Sequence, residues 1–205
     1  MVEMVLVIVV MGILAALTMP RLERDLKQEA ADNILSAIRY TQRLALIDDK
    51  QKFNDPKWQR RWWRIMFAQC SDGKYFYKIG SDDDMDSTST FEQSEAAIDP
   101  ATGKPMYVAN NGDCSDSNVS QNILIGKKYG VTVDNGTGGC NGYKSVGFDH
   151  LGRPHVGFSD SSKPDYSSYV SSTCTLNFTL SDGDTFQINI EPETGYAYIV
   201  GQPDS

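Results

Sequence analysis

Histidine is nearly missing from this chain. There are two in 205 residues, His150 and His155, flanking a Gly-Arg-Pro turn. With no cysteine beside them and no carboxylate pattern around them, they read as turn and strand residues. Cysteine is limited to four, Cys70, Cys114, Cys140 and Cys174, and no pair has the Cys-x-x-Cys spacing of a zinc site. There is no Gly-x-Ser-x-Gly elbow, no phosphate-binding glycine loop and no His-Glu-x-x-His. Nothing in the sequence supports catalysis, and no cofactor or metal is expected. No lysine or arginine precedes Arg21. A secretory signal peptide needs a basic front, a short apolar centre and a small-residue cleavage site behind it. Neither its front nor its cleavage pattern occurs here, so the opening segment reads as retained.

That segment is apolar without interruption from residue 4 to residue 19, with Glu3 at its outer edge and Pro20 closing it. Counted from Met1, it has about the minimum length for crossing a bilayer as a helix, roughly 17–25 residues. A helix satisfies its own backbone groups and is the form such a segment takes in lipid. A carboxylate at the edge of an apolar helix is costly unless it reaches the interface or a cation, which makes Glu3 a functional candidate.

Beyond Pro20 the pattern stays helical but becomes one-sided. Leu22, Leu26, Ala30, Ile34, Ala37, Ile38, Thr41, Leu44 and Ala45 recur at steps of three and four, with charged residues between them. Pro20 is expected to kink the helix and not end it, if packing holds both sides. The whole element would run to about Asp49, roughly 75 Å at 1.5 Å per residue. Its first half suits lipid or other helices, and its second half suits a globular domain.

The run Met1-Val2-Glu3-Met4-Val5-Leu6-Val7-Ile8-Val9, followed by Gly12-Ile13-Leu14-Ala15-Ala16 and Pro20, resembles the N-terminal signature of the type IV pilin and type II secretion pseudopilin superfamily. Glu3 matches the family glutamate and Pro20 the helix-kinking proline. The match begins just after the family's cleavage site, so the basic leader, the cleavage-site glycine and the usual Phe that follows it are not in this sequence. The resemblance implies processing by a prepilin peptidase, N-methylation, and assembly through the N-terminal helix with other pilin or pseudopilin subunits at an inner-membrane platform. It gives Glu3 a specific partner, the free N-terminal amine of a neighbouring subunit, which would offset the desolvation of the carboxylate. Within the superfamily the chain looks most like a minor pilin or H-type pseudopilin. Val146-Gly147-Phe148-Asp149-His150-Leu151-Gly152-Arg153-Pro154 and Glu193-Thr194-Gly195-Tyr196 look like that group's strand-turn segments. The implied place is the bacterial inner membrane, crossed once, with the head in the periplasm. The implied role is a structural subunit of a secretion pseudopilus that supports protein export. The alternative within the superfamily is a minor pilin of a type IV pilus serving assembly, motility or DNA uptake.

Charge divides unevenly. Residues 51–205 hold 20 Asp and Glu against 13 Lys and Arg, whereas residues 1–50 hold 7 against 6. The acidity of the head argues against general nucleic-acid binding. An even number of cysteines in a loop-rich exported domain points to two disulfides. Of three possible pairings, Cys70–Cys114 and Cys140–Cys174 are favoured, because the second would tie neighbouring strands.

The head reads as strands joined by turns: 63–70 and 75–80 about Asp72-Gly73, then 123–125 and 129–133, then 175–180, 185–191 and 196–200 about Ser181-Asp182-Gly183-Asp184 and Glu193-Thr194-Gly195. Residues 81–120 read as a long loop partly fixed by Cys114, and 134–139 as a turn. Alternation in Phe186-Gln187-Ile188-Asn189-Ile190 predicts a sheet with one wet face, its other face packed on Leu26, Ile34, Ile38 and Leu44 of the stalk. The expected fold is α+β: a transmembrane or filament-core helix at 1–20, an amphipathic stalk at 21–50 and a β-rich head at 51–205.

Two clusters carry side chains of possible function. Asp82, Asp84 and Asp86 have the alternate spacing that opens a calcium loop, but Ser87 stands where the turn glycine belongs and Gln93 where the bidentate glutamate belongs, so the segment reads as a solvated acidic loop. Trp58-Gln59-Arg60-Arg61-Trp62-Trp63-Arg64 is the only basic cluster. Interleaved aromatics and arginines suit single-stranded nucleic acid. A DNA-uptake subunit would carry Arg60, Arg61 and Arg64 together on an exposed face. The competing reading sends Trp62 or Trp63 into the core and leaves the arginines to solvate the surface. A membrane-anchored hydrolase would need a pocket holding a nucleophile and a base.

Overall fold

The computed structural model describes residues 2–52, 54–86, 90–160 and 162–202 and, within the first helix, the side chains of residues 4–13 and 26–47. One helix, α1, spans Val2–Ile47, 46 residues, and passes through Pro20 without a break. It ends two residues short of the expected Asp49. Asp48 donates its amide to the Leu44 carbonyl at 3.0 Å as the last helical bond, and the Asp48 carboxylate then accepts from the Trp63 indole at 3.0 Å and pairs with Lys50 at 2.9 Å. The side chains of Glu3 and Pro20 lie outside the described residues.

Two antiparallel sheets follow. The first runs in the order β2-β1-β5-β6, where β1 is Trp63–Gln69, β2 Tyr75–Gly80, β5 Ser145–Phe148 and β6 Pro154–His155. The second runs β3-β7-β8-β9, where β3 is Thr132–Val133, β7 Cys174–Thr179, β8 Thr185–Ile190 and β9 Ala197–Ile199. β4, Thr137–Gly138, shares the β3 side of β7. The hairpins close where Gly and Asp permit. At β1–β2, Gly73 has φ 80° and its neighbour Lys74 donates its amide to Asp72 at 3.0 Å. At β7–β8, Leu180 bonds Asp184 at 2.8 Å across the turn.

The C-terminal half of α1 is the centre of the core. Ala30, Ala31, Ile34, Leu35, Ala37, Ile38, Thr41 and Ala45 are buried, a stripe wider than one sheet needs, and the helix packs against strands of both sheets. Four of these are alanines, which let the two sheets approach closely. The expected contact face needs one correction. Ile34 and Ile38 are fully buried and Leu44 is half-buried on the core, but Leu26 is 42% exposed. Next to it, Lys27 pairs with Asp184 of the β7–β8 turn at 3.4 Å.

The head departs from the sequence reading in three places, one being the strand expected at 129–133, which is a strand only at Thr132–Val133 because Tyr129 ends a helix and Gly130 caps it. Residues 123–125 are not a strand. Gln121–Ile123 is a 3-10 helix, and Ile125–Tyr129, α2, is an α-helix ended by Gly130 at φ 69°. Within 134–139, Thr137–Gly138 is a strand, paired with β7 at Gly138↔Cys174. Cys70 is bonded to Cys114 and Cys140 to Cys174.

Candidate functional site

The described part of the apolar run is a helical surface. Met4, Val5, Leu6, Val7, Ile8, Val9, Val10, Met11 and Ile13 are each 46–75% exposed. Gly12 lies among them, and beyond its chain neighbours and the adjoining helix backbone nothing comes within 4 Å of where a Cβ would stand. Among the described residues no helix is long and apolar enough to cross a membrane. A contiguous apolar surface of this kind marks a place where something else packs.

The other end of α1 is tied to the head by polar bonds as well as by its apolar stripe. Gln42 donates its amide to two hairpin carbonyls, Gly152 at 2.9 Å and Thr194 at 2.8 Å. Gly195, at φ 63°, sits against the Gly152 carbonyl, leaving no room for a Cβ. Arg39 donates to the Ala197 carbonyl at 2.8 Å, and Tyr40 to the Ile98 carbonyl at 2.9 Å. Glu29 accepts from Tyr129 at 3.0 Å and pairs with Lys128 at 3.0 Å, which holds its carboxyl below the usual range. Beside these bonds a cavity of about 430 Å³ opens between α1 and the head, lined by Glu29, Asn33, Tyr40, Tyr77, Asp99 and Tyr129 among others.

Asp99 organises the long loop. Burial works against its ionisation, but Ser120 at 2.5 Å, the Ala101 amide and Asn122, each at 2.9 Å, and Thr102 at 3.0 Å bond the carboxylate and hold its pKa down. The loop is therefore tethered at Asp99 as well as at Cys114. Sequence reasoning passed over this residue. Its available signal was Asp99-Pro100 followed by Thr102-Gly103, a turn sequence with an acceptor at its head.

The Trp-Arg segment faces inward. Trp58 and Trp62 pack edge to face at 5.1 Å and form a small core with Phe158. Arg64 is 1% exposed, with its guanidinium 5.7 Å from the Phe91 ring and 5.8 Å from the Phe158 ring. Arg60 is buried and donates to the Asp160 carbonyl at 2.9 Å, while the half-buried Arg61 bonds the Asp83 carbonyl at 2.8 Å. The three arginines therefore do not share an exposed face, as DNA contact requires. They do not solvate the surface either. The alternation of a strand puts Arg64 on the face of β1 opposite Ile65 and Phe67, where the Phe91 and Phe158 rings accept its flat cation.

His155 joins two loops. Its Nδ1 faces Ser168 Oγ at 3.0 Å and its Nε2 faces Asp149 at 3.4 Å. Asp149 also accepts from the amides of Leu151 and Arg153, each at 2.9 Å, and pairs with the Arg153 guanidinium at 2.7 Å. Burial opposes ionisation of Asp149, but the bonds from His155 and Arg153 outweigh it and hold the carboxyl far below the usual carboxylate range. A Ser-His-Asp series raises the question of a nucleophile. Ser168 is buried, donates its own proton to the Asp165 carbonyl at 2.8 Å, and is not among the residues lining the adjacent cavity of about 270 Å³. Buried, with its proton given to a backbone carbonyl, this hydroxyl fastens a loop.

Among the described residues the one cluster with metal-ligand geometry is Asp82, Asp84 and Asp86. Asp84 and Asp86 are exposed, but Asp82 is fully buried, so the segment is not the uniformly solvated loop expected. Ser87 lies outside the described residues, and Gln93 opens a 3-10 helix, Gln93–Glu95.

No protein-family model, no curated protein and no solved structure matches this chain.

Proposed function

We propose that this chain is a minor pilin-like structural subunit of a type II secretion pseudopilus, without enzymatic activity, that assembles through its N-terminal helix and supports protein export. The observation that carries the reading is the division of labour along α1. One continuous helix is locked into a disulfide-bonded head by its C-terminal half, while residues 4–13 present a bare apolar surface. A protein that needed only to fold would not expose that surface. In the proposed assembly it lies in the inner membrane before incorporation and against the same helix of neighbouring subunits afterwards. Glu3 then sets register by meeting a neighbour's N-terminal amine, and the periplasmic head presents its loops to partner subunits or cargo.

The test at residue level is Glu3→Ala. The variant should still fractionate with the membrane but enter filaments poorly, read by shearing and immunoblotting. Incorporation at the parent's level would sink the role given to Glu3. In-frame deletion of the gene tests the setting. Selective retention of normally exported proteins in the periplasm supports the secretion pseudopilus, whereas unchanged secretion with lost piliation or motility moves the subunit to a type IV pilus.

A further inference from the structure

Directly after β2 the chain places four aspartates in five residues, and they do not behave alike. Asp83 turns toward Lys50, 3.0 Å away, and accepts from Ser81 at 3.2 Å. Asp82, Asp84 and Asp86 converge, so that one carboxylate oxygen of each lies within 4.8 Å of the other two. That spread is what three ligands around one ion require when each sits 2.3–2.6 Å from it.

The decisive residue is Asp82. It is 0% exposed, and the Met85 amide, which helps hold its pKa down, is the one backbone donor near its carboxylate, no other donor reaching either oxygen. The nearest protein cation is Arg64, whose Nη2 stands 3.8 Å away, beyond hydrogen-bonding distance, and whose Nε and Nη1 are also unpartnered. A buried carboxylate normally collects two or more donors. Arg64, aimed between two aromatic rings, does not supply them, and it leaves Asp84 and Asp86 unneutralised. Burial pushes the Asp82 carboxyl up to about 6 against the pull of Arg64, and Asp84 pushes Asp86 upward as well. The loop is nevertheless held in this strained electrostatic arrangement from outside, because Glu95 accepts the amides of Asp83 at 2.6 Å and Asp84 at 3.2 Å.

We propose that Asp82, Asp84 and Asp86 bind a calcium ion, with backbone carbonyls and water completing the shell. The donor set is all oxygen, which selects a hard cation over zinc or copper. Calcium suits it better than magnesium, since magnesium demands a near-ideal octahedron at shorter distances and gives up its waters reluctantly. With three carboxylates on an open loop, the affinity belongs with extracellular modules, Kd about 10⁻⁴–10⁻³ M. The site is independent of the filament reading.

The experiment is thermal unfolding of the full chain in detergent, stripped with a chelator, then supplied with calcium chloride or magnesium chloride at matched ionic strength. Calcium at about tenfold excess over Kd should raise Tm by about 3–6 °C, and magnesium by much less. Asp84→Asn combined with Asp86→Asn should abolish the calcium shift while leaving the metal-free Tm at or above the parent's, because it removes like-charge repulsion. Calorimetric titration of the parent with calcium, expected to show one site per chain, keeps the test decisive if that variant does not fold. No calcium shift, an equal shift with magnesium, or a full shift in the double variant would overturn the site.

Discussion

Asp149 satisfies five donors at once: two backbone amides of its own turn, two guanidinium nitrogens of Arg153 and the ring of His155. Asp149→Asn would strand a buried histidine and loosen the β5–β6 turn, at a cost of about 3 kcal/mol in urea unfolding at pH 7. The native carboxyl titrates below its unfolded value of about 3.9, so its contribution is present above that pH and fades as pH falls below about 4. The gap between parent and variant should therefore narrow in acid. Lys78 is the opposite case. Burial, with Arg64 adding to it, brings its pKa down to about 8, although the ammonium still donates to Thr90 at 2.6 Å. Holding that charge costs stability below about pH 8, and the cost is relieved as pH rises toward the unfolded value of about 10.4. Lys78→Met should be more stable than the parent by about 1 kcal/mol at pH 7, with the advantage shrinking by pH 10. Neither residue was legible in the sequence. A charged residue at an inward strand position looks like one at an outward position until the neighbouring aromatic rings are known.

At the scale of elements the sequence was easier to read. The long amphipathic pattern gave α1 because buried and exposed positions repeat over many turns, and the three C-terminal strands showed through alternation and Asp-Gly or Thr-Gly turns. The Ile123-Leu124-Ile125 run misled because a short, fully buried apolar run has no period to distinguish a strand from a helix. The better signal lay at its ends: Ser120 accepts the Asn122 amide at 3.2 Å as an N-cap, and Gly130 supplies the left-handed C-cap. Truncation along α1 should follow burial and not hydrophobicity. Ile34→Ala or Ile38→Ala should cost about 2–5 kcal/mol in chemical unfolding. Leu26→Ala should cost under about 0.5 kcal/mol, since its side chain is exposed.

For the whole molecule, the disulfides add a restraint on the unfolded chain to the packing of the core. They span 44 and 34 residues, and by loop-closure entropy each is worth about 4 kcal/mol. Replacing Cys140 and Cys174 together by Ser should lower Tm by about 8–16 °C, and the loss should appear first as hydrogen exchange at β4, which meets β7 at Cys174. The bridges were legible because four cysteines allow three pairings and one of these ties neighbouring strands. The placement of the acidic loop was not, since it depends on Glu95 and Arg64 arriving from elsewhere in the chain. Finally, α1 joins the head side by side along residues 27–45 and not end to end. Pulling on its N-terminal half would load that contact in shear. Gln42, Arg39 and the alanine-isoleucine stripe would then share the strain together, where a peeling geometry would break them one at a time. A joint loaded in this way resists tension along the helix far better than tension across it.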